Sequence, residues 1–179
     1  MAIRAEEVTD NSGPHLSLGS GVLLLIVALA AIAGFAALGS ALGLAPLYAG
    51  FLLVWYWSTV DKLDFKRAPA TVFGAIGGAA TAWIYQLVTQ TGSTVGLVAF
   101  LLLIVAAIFI QIMNYLPFLI NASYMLFLTV GGAPLIQGGE KFEKFTLAIL
   151  ISAIYFGGLI FVGTRLVMAT AARRQRAAG

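Results

Sequence analysis

Long apolar runs, interrupted by short polar intervals, set the pattern of this chain. Stretches of about twenty apolar residues match a hydrocarbon core of about 30 Å. On that measure the runs predict helices over 21–42, 45–60, 69–89, 94–113, 117–136 and 146–168. Helix is the expected form, because an unpaired strand in lipid would leave its backbone polar groups unsatisfied. The pattern therefore predicts an all-α polytopic membrane protein with six transmembrane helices. Residues 1–20 form a polar tail, 21–168 the membrane domain and 169–179 a basic tail.

Two boundaries rest on breaker residues. Pro46 suits the first turn of a new helix, where its missing N–H is not needed, so the second run starts after Gly43-Leu44-Ala45. The stretch 94–136 as one helix would measure about 65 Å, twice the hydrocarbon thickness. Asn114-Tyr115-Leu116-Pro117 is where it breaks, since proline removes a donor and disfavours helix in the residue before it.

Composition and charge sharpen this picture. Apolar residues make up 61% of the chain and charged residues 9%, more apolar surface than a soluble fold of this size can hide. Between Gly21 and Met168 the only charges are the clusters Asp61–Arg67 and Glu140–Lys144, and Arg165. With six spans, eight of the ten Lys and Arg residues fall on one side and only Lys141 and Lys144 on the other. The positive-inside rule then predicts that both termini are cytoplasmic. Trp55, Tyr56 and Trp57, and Trp83 with Tyr85, suit interfacial belts at span ends. The net charge of +3 reflects loop charge rather than a nucleic-acid surface.

The two halves are weakly alike. Ala45-Pro46-Leu47-Tyr48 and Leu116-Pro117-Phe118-Leu119 each open a run, and each run ends in a loop of mixed charge followed by a glycine-bearing span. Three spans per half makes two inverted three-helix repeats, an arrangement common in transporters. Chance likeness of apolar segments is the alternative. Ala49-Gly50-Phe51, the stretch Gly74-Ala75-Ile76-Gly77-Gly78-Ala79 with Ala82-Trp83, and Leu116-Pro117-Phe118 together resemble the small six-span bacterial inner-membrane proteins grouped as a family of unknown function. That resemblance covers about 21–168 and implies a six-span fold with a permease-like role. It assigns no site, and Trp55-Tyr56-Trp57 departs from the small residues such proteins carry there.

The candidate chemistry is uncharged. Thr81, Tyr85 and Thr89 recur at i, i+4 and i+8 on one face of the third span. Gln111, Asn114 and Asn121 flank the break at Pro117. These six either line a hydrated solute path or serve locally, capping broken helix ends and joining helices. Ala70, Gly74, Gly78 and Ala82 form a small-residue stripe suited to close helix packing, and Ala153 with Gly157 and Ile154 with Gly158 suggest a similar contact. Asp61 and Asp64 with Lys62, Lys66 and Arg67 read first as a solvated loop and second as a site for an anionic lipid head group. The chain has no cysteine, and its one histidine, His15, lies in the tail. No cofactor, metal site or catalytic constellation is expected, so the chain is not read as an enzyme. With no ionisable group inside a span, proton coupling is disfavoured. The expectation is a passive channel or facilitator for a small neutral or weakly charged solute, working as a homo-oligomer. The alternative is a non-transporting membrane subunit that stabilises a partner protein.

Overall fold

The structure is a computed structural model that describes residues 17–139 and 141–177. The acidic and basic residues of the tail up to His15, and Glu140, lie outside the described residues. Seven helices follow in order: α1 (Leu18–Ala41), α2 (Leu47–Thr59), α3 (Ala68–Thr91), α4 (Thr94–Ile112), α5 (Ala122–Gly131), α6 (Pro134–Gly139) and α7 (Phe142–Ala177). The chain divides into two compact units within α1, Met1–Gly34 and Phe35–Gly179. In the first unit the described residues are helical from Leu18, so the helix starts inside the stretch expected to be a polar tail.

Four helices, α1, α3, α4 and α7 to Thr170, are long and apolar enough to cross a membrane. The second and fifth expected spans are shorter than their apolar runs. α2 has 13 residues and α5 has 10, about 20 Å and 15 Å at the helical rise, against about 30 Å of hydrocarbon. Hydropathy counts apolar residues but not where helix ends fall. Pro117 to Ile120 are apolar yet non-helical, and the fifth run divides at Gly132 into α5 and α6.

The helix ends have local causes. α1 stops at Gly43, which adopts φ 64°. The Leu44 N–H donates to Gly39 O at 2.9 Å and the Gly43 N–H to Ser40 O at 3.1 Å, a left-handed stop that satisfies orphan carbonyls. α4 stops in the same way. Asn114 adopts φ 53°, the Tyr115 N–H donates to Ile110 O at 3.1 Å and the Asn114 N–H to Gln111 O at 3.1 Å. A proline follows three residues after each stop, Pro46 and Pro117. Ser93 caps α4 by accepting from the Gly96 N–H at 3.1 Å, and Asn121 caps α5 by accepting from the Tyr124 N–H at 3.1 Å.

α3 is the central helix of the second unit. Its residues Thr71, Gly74, Ala75, Gly78, Ala79, Thr81 and Ala82 are buried, mainly against α5 and α7. The small-residue stripe lies against α5. A Cβ on Gly78 would strike the Tyr124 carbonyl and sit 2.8 Å from the Leu128 nitrogen, and one on Gly74 would strike the Asn121 amide. Gly131 of α5 lies on Ala82 in the same manner. α2 packs on α7, where Ser152 donates to Gly50 O at 2.7 Å. Phe35 stands over this contact, 5.1 Å from both the Phe51 and Phe156 rings. The pairs expected on the last span do not form a contact of this kind, because a Cβ on Gly157 or Gly158 would meet open space.

These contacts separate two glycines that look alike in sequence. Gly78→Leu should lower detergent-solubilised stability by at least about 1–3 kcal/mol, the usual cost of overpacking, whereas Gly157→Ala should be neutral or gain up to about 1 kcal/mol from helix propensity. Thermal unfolding followed by helical circular dichroism reads both. Equal melting temperatures for Gly78→Leu and the parent chain would place Gly78 outside any tight contact.

Candidate functional site

A polar pocket is built at the turn between α2 and α3. α2 ends at Thr59, and Lys62 and Leu63 then take left-handed conformations at φ 53° and 59°. Two consecutive non-glycine residues in that region are uncommon and persist only where the surroundings fix them. Here the Leu63 N–H donates to Trp57 O at 3.0 Å, the Trp57 indole N–H to Asp64 O at 3.1 Å and the Lys66 N–H to Asp64 Oδ1 at 2.9 Å. The turn so fixed directs Asp61 inward, leaving it 8% exposed.

Each oxygen of the buried carboxylate has a partner. Oδ1 meets Arg67 Nη1 at 3.2 Å, and Oδ2 accepts from the Thr71 hydroxyl. A carboxylate taken from water is tolerated only when paired and hydrogen-bonded in this way. Arg67 and Thr71 are four residues apart at the start of α3, so they share one helical face. The Thr71 carbonyl in turn accepts from Ser123 Oγ at 2.8 Å, which ties the pocket to α5. The cavity beside these groups holds about 420 Å³ and is lined by Tyr56, Asp61, Arg67, Thr71 and Asn121, with Pro117 at its edge.

Of the six residues proposed to line a path, only Asn121 reaches this cavity. Its amide nitrogen donates to Ala70 O at 2.8 Å and Pro117 O at 3.2 Å, and its oxygen caps α5. Thr81 is buried and bonds the Tyr124 hydroxyl at 2.7 Å and Gly77 O at 2.9 Å. Tyr85 stacks on Phe100 with ring centroids 4.9 Å apart, in a separate and mostly apolar recess between α3, α4 and α5. Thr89 is exposed and donates to Gln86 O at 2.9 Å. Gln111 is half-buried and Asn114 exposed at the end of α4. Along this helical face Thr81 lies against Tyr124 and Tyr85 against Phe100, while Thr89 is exposed.

Sequence reasoning read Asp61–Arg67 first as a solvated loop and Tyr56 as part of an interfacial belt, and it did not single out Thr71. The available signal was a carboxylate immediately after a span with Arg67 and Thr71 one helical turn apart. It also missed Gln137 on α6, whose amide nitrogen donates to Ala82 O at 3.0 Å and Gly131 O at 2.6 Å, while Gln86 donates to Gln137 O at 2.8 Å. These bonds tether α6 to α3 and α5. Among the described residues no three His, Cys, Asp or Glu side chains gather as metal ligands. Compared with protein-family models, curated proteins and solved structures, the chain matches none.

The pocket's internal bonds predict a graded series. Thr71→Val leaves one oxygen of the buried carboxylate without its donor and should cost about 1–3 kcal/mol. Thr71→Ser should retain most of the stability, and exposed Asp64→Asn should change it by less than about 0.5 kcal/mol. Chemical or thermal unfolding in one detergent ranks the three. A Thr71→Val protein as stable as Thr71→Ser would show that the hydroxyl contributes nothing.

Proposed function

We propose that this chain is a six-span protein of a bacterial inner membrane, with both termini cytoplasmic, that passively facilitates movement of a small neutral or weakly charged solute. In this reading it is built as two inverted three-helix repeats, α1–α2–α3 and α4–α5–α7, with α6 inserted before the last helix, and it works as a homo-oligomer. The observation that carries the proposal is a short, proline-preceded helix at the same place in each half. Paired interrupted segments of this kind mark the solute site in repeat-built transporters.

Three further facts support the repeat. The left-handed helix stops at Gly43 and Asn114 use the same pair of hydrogen bonds. Each short helix packs on the long last helix of the other half, α2 on α7 and α5 on α3. At these crossings a backbone carbonyl of the short helix meets a small residue of the long one: Gly50 O with Ser152, and Tyr124 O with Gly78. Gly50 to Tyr124 and Gly78 to Ser152 are equal steps along the sequence. The position of the Asp61 cavity, between the end of α2 and the start of α5, supports it as the mouth of the path.

The non-transporting subunit is the second reading. It is favoured by the local bonding of Thr81 and Asn121, which leaves their polar atoms engaged with the protein itself. Solute flux into proteoliposomes separates the two.

Topology is tested first. Single cysteines at Ser12 and Ala177 should be labelled by an impermeant reagent only from the cytoplasmic side, and one at Gly139 only from outside. Labelling of either terminus from outside overturns the six-span arrangement.

Mechanism is tested by flux. Uptake should follow the solute gradient and persist when ionophores dissipate pH and voltage, and Tyr56→Phe should slow it at a stability cost of about 0.5–1.5 kcal/mol from the lost bond to the Ser123 backbone. Uptake that collapses with ionophore and is abolished by Asp61→Asn would make Asp61 a proton-coupling group and overturn the passive mechanism. Asn121→Leu is a poor probe of the path, since loss of a helix cap alone costs about 0.5–2 kcal/mol.

A further inference from the structure

We propose that the Asp61 cavity binds a zwitterion carrying a primary ammonium and a phosphodiester, the chemistry of a glycerophosphoethanolamine unit. The source is either the free molecule or the head group of an ethanolamine phospholipid. The inference rests on the reading that the helices span a bilayer, which puts the end of α2 and the start of α3 at the depth of lipid head groups.

The chemistry follows from how the two charges are held. Asp61 is fixed and nearly buried, whereas the Arg67 side chain is 65% exposed and joined to it by a single contact of 3.2 Å. A carboxylate offers about four lone-pair sites, and two partners are seen here, so it can accept a further N–H. A guanidinium carries five N–H donors in a planar fork that matches phosphate, and one of its nitrogens meets Asp61. The exposed partner is the one free to turn outward.

Net charge then selects the ligand. Asp61 and Arg67 cancel within the cavity, so a simple anion approaches Arg67 against the Asp61 carboxylate, and a simple cation approaches Asp61 against the guanidinium. A zwitterion satisfies both at once, ammonium on Asp61 and phosphate on Arg67. The anionic head group suggested by the basic residues of this loop fits less well, because the loop's most buried charge is negative. The ammonium must carry N–H groups to bond the carboxylate, which excludes a quaternary choline. The volume of about 420 Å³ lies within the range of about 300–1,000 Å³ typical of small-molecule sites. Tyr56 and Thr71 add polar walls, while Asn121, engaged with Ala70 and Tyr124, shapes the far side.

The test uses the full chain in nanodiscs of equal phosphatidylethanolamine and phosphatidylcholine, with retained lipid read by native mass spectrometry after mild delipidation. Ethanolamine lipid should be retained over choline lipid by at least about tenfold, equivalent to about 1.4 kcal/mol. Asp61→Asn should abolish the preference, Arg67→Gln should lower retention of both lipids by loss of the shared phosphate contact, and exposed Lys62→Gln should leave both readings intact. Should Asp61→Asn fail to fold, Arg67→Lys decides, since it keeps a cation beside the buried carboxylate and removes only the planar fork; retention of both lipids should fall while the ethanolamine preference persists. Free glycerophosphoethanolamine that displaces the lipid and raises the melting temperature identifies a soluble zwitterion as the source; retention of the lipid alone identifies the head group. Equal retention of the two lipids, a preference that survives Asp61→Asn, or retention unchanged by substitution of Arg67 overturns the proposal. Flux without the preference overturns this site and leaves the facilitator standing, and the preference without flux does the reverse.

Discussion

The second unit depends on how closely α5 approaches α3. Gly78 admits the Tyr124 carbonyl and the Leu128 nitrogen, and Gly74 admits the Asn121 side chain. Without side chains at those two positions, α5 can lie near enough for Ser123 to reach Thr71 O and for Asn121 to reach Ala70 O. Short helices expose orphan backbone groups at both ends, and in an apolar medium each such group is costly. The approach of α5 to α3 therefore does two things. It buries the small apolar surface of a ten-residue helix, and it brings donors and acceptors to the place where that helix begins.

The Asp61 pocket inherits its form from this approach. Thr71 connects the two, its hydroxyl on the carboxylate and its carbonyl receiving Ser123. A movement of α5 along α3 would thus reach the carboxylate through one residue. The charge pair itself is unequal. Asp61 is held by the turn and by Thr71, while the Arg67 guanidinium projects outward. An exposed member of a pair contributes little to stability because solvent screens it. The value of Arg67 lies in keeping a buried carboxylate from standing alone.

Helices α2, α3 and α4 were legible in the sequence, while the division of the fifth run into α5 and α6 was not. α3 and α4 fall within two residues of the apolar runs that predicted them, because periodicity and hydropathy survive any tertiary arrangement. Pro46 and Pro117 marked the breaks, and helix resumes directly after Pro46, yet nothing about Pro117 itself fixed how far the chain runs before α5 begins. Ile120 is apolar and non-helical because Asn121 supplies the cap. The Asp61 pocket was hidden for a different reason. Its geometry needs left-handed Lys62 and Leu63, conformations that neither residue type favours. The polar face of Thr81, Tyr85 and Thr89 was read correctly as a face, but periodicity carries no information about which neighbour covers each turn. Tyr124 and Phe100 supply that answer, and both are distant in sequence.

If the two halves are equivalent, their connecting segments are not. Between α2 and α3 the chain makes a charged turn with a buried carboxylate and an open cavity. Between α5 and α7 it makes α6, where Gln137 bonds Ala82 O and Gly131 O and draws the segment onto the helix ends. One segment thus presents an ion pair with a buried carboxylate and an exposed guanidinium, and the other a short helix held by neutral amide hydrogen bonds. A solute path running between two such ends would be polar in only one direction of approach. Selection by charge would occur at the Asp61 end, while the other end would set only how readily α6 yields. Asp61 and Gln137 thus give the two connecting segments different bonding, a buried carboxylate paired with Arg67 in one and neutral amide hydrogen bonds in the other.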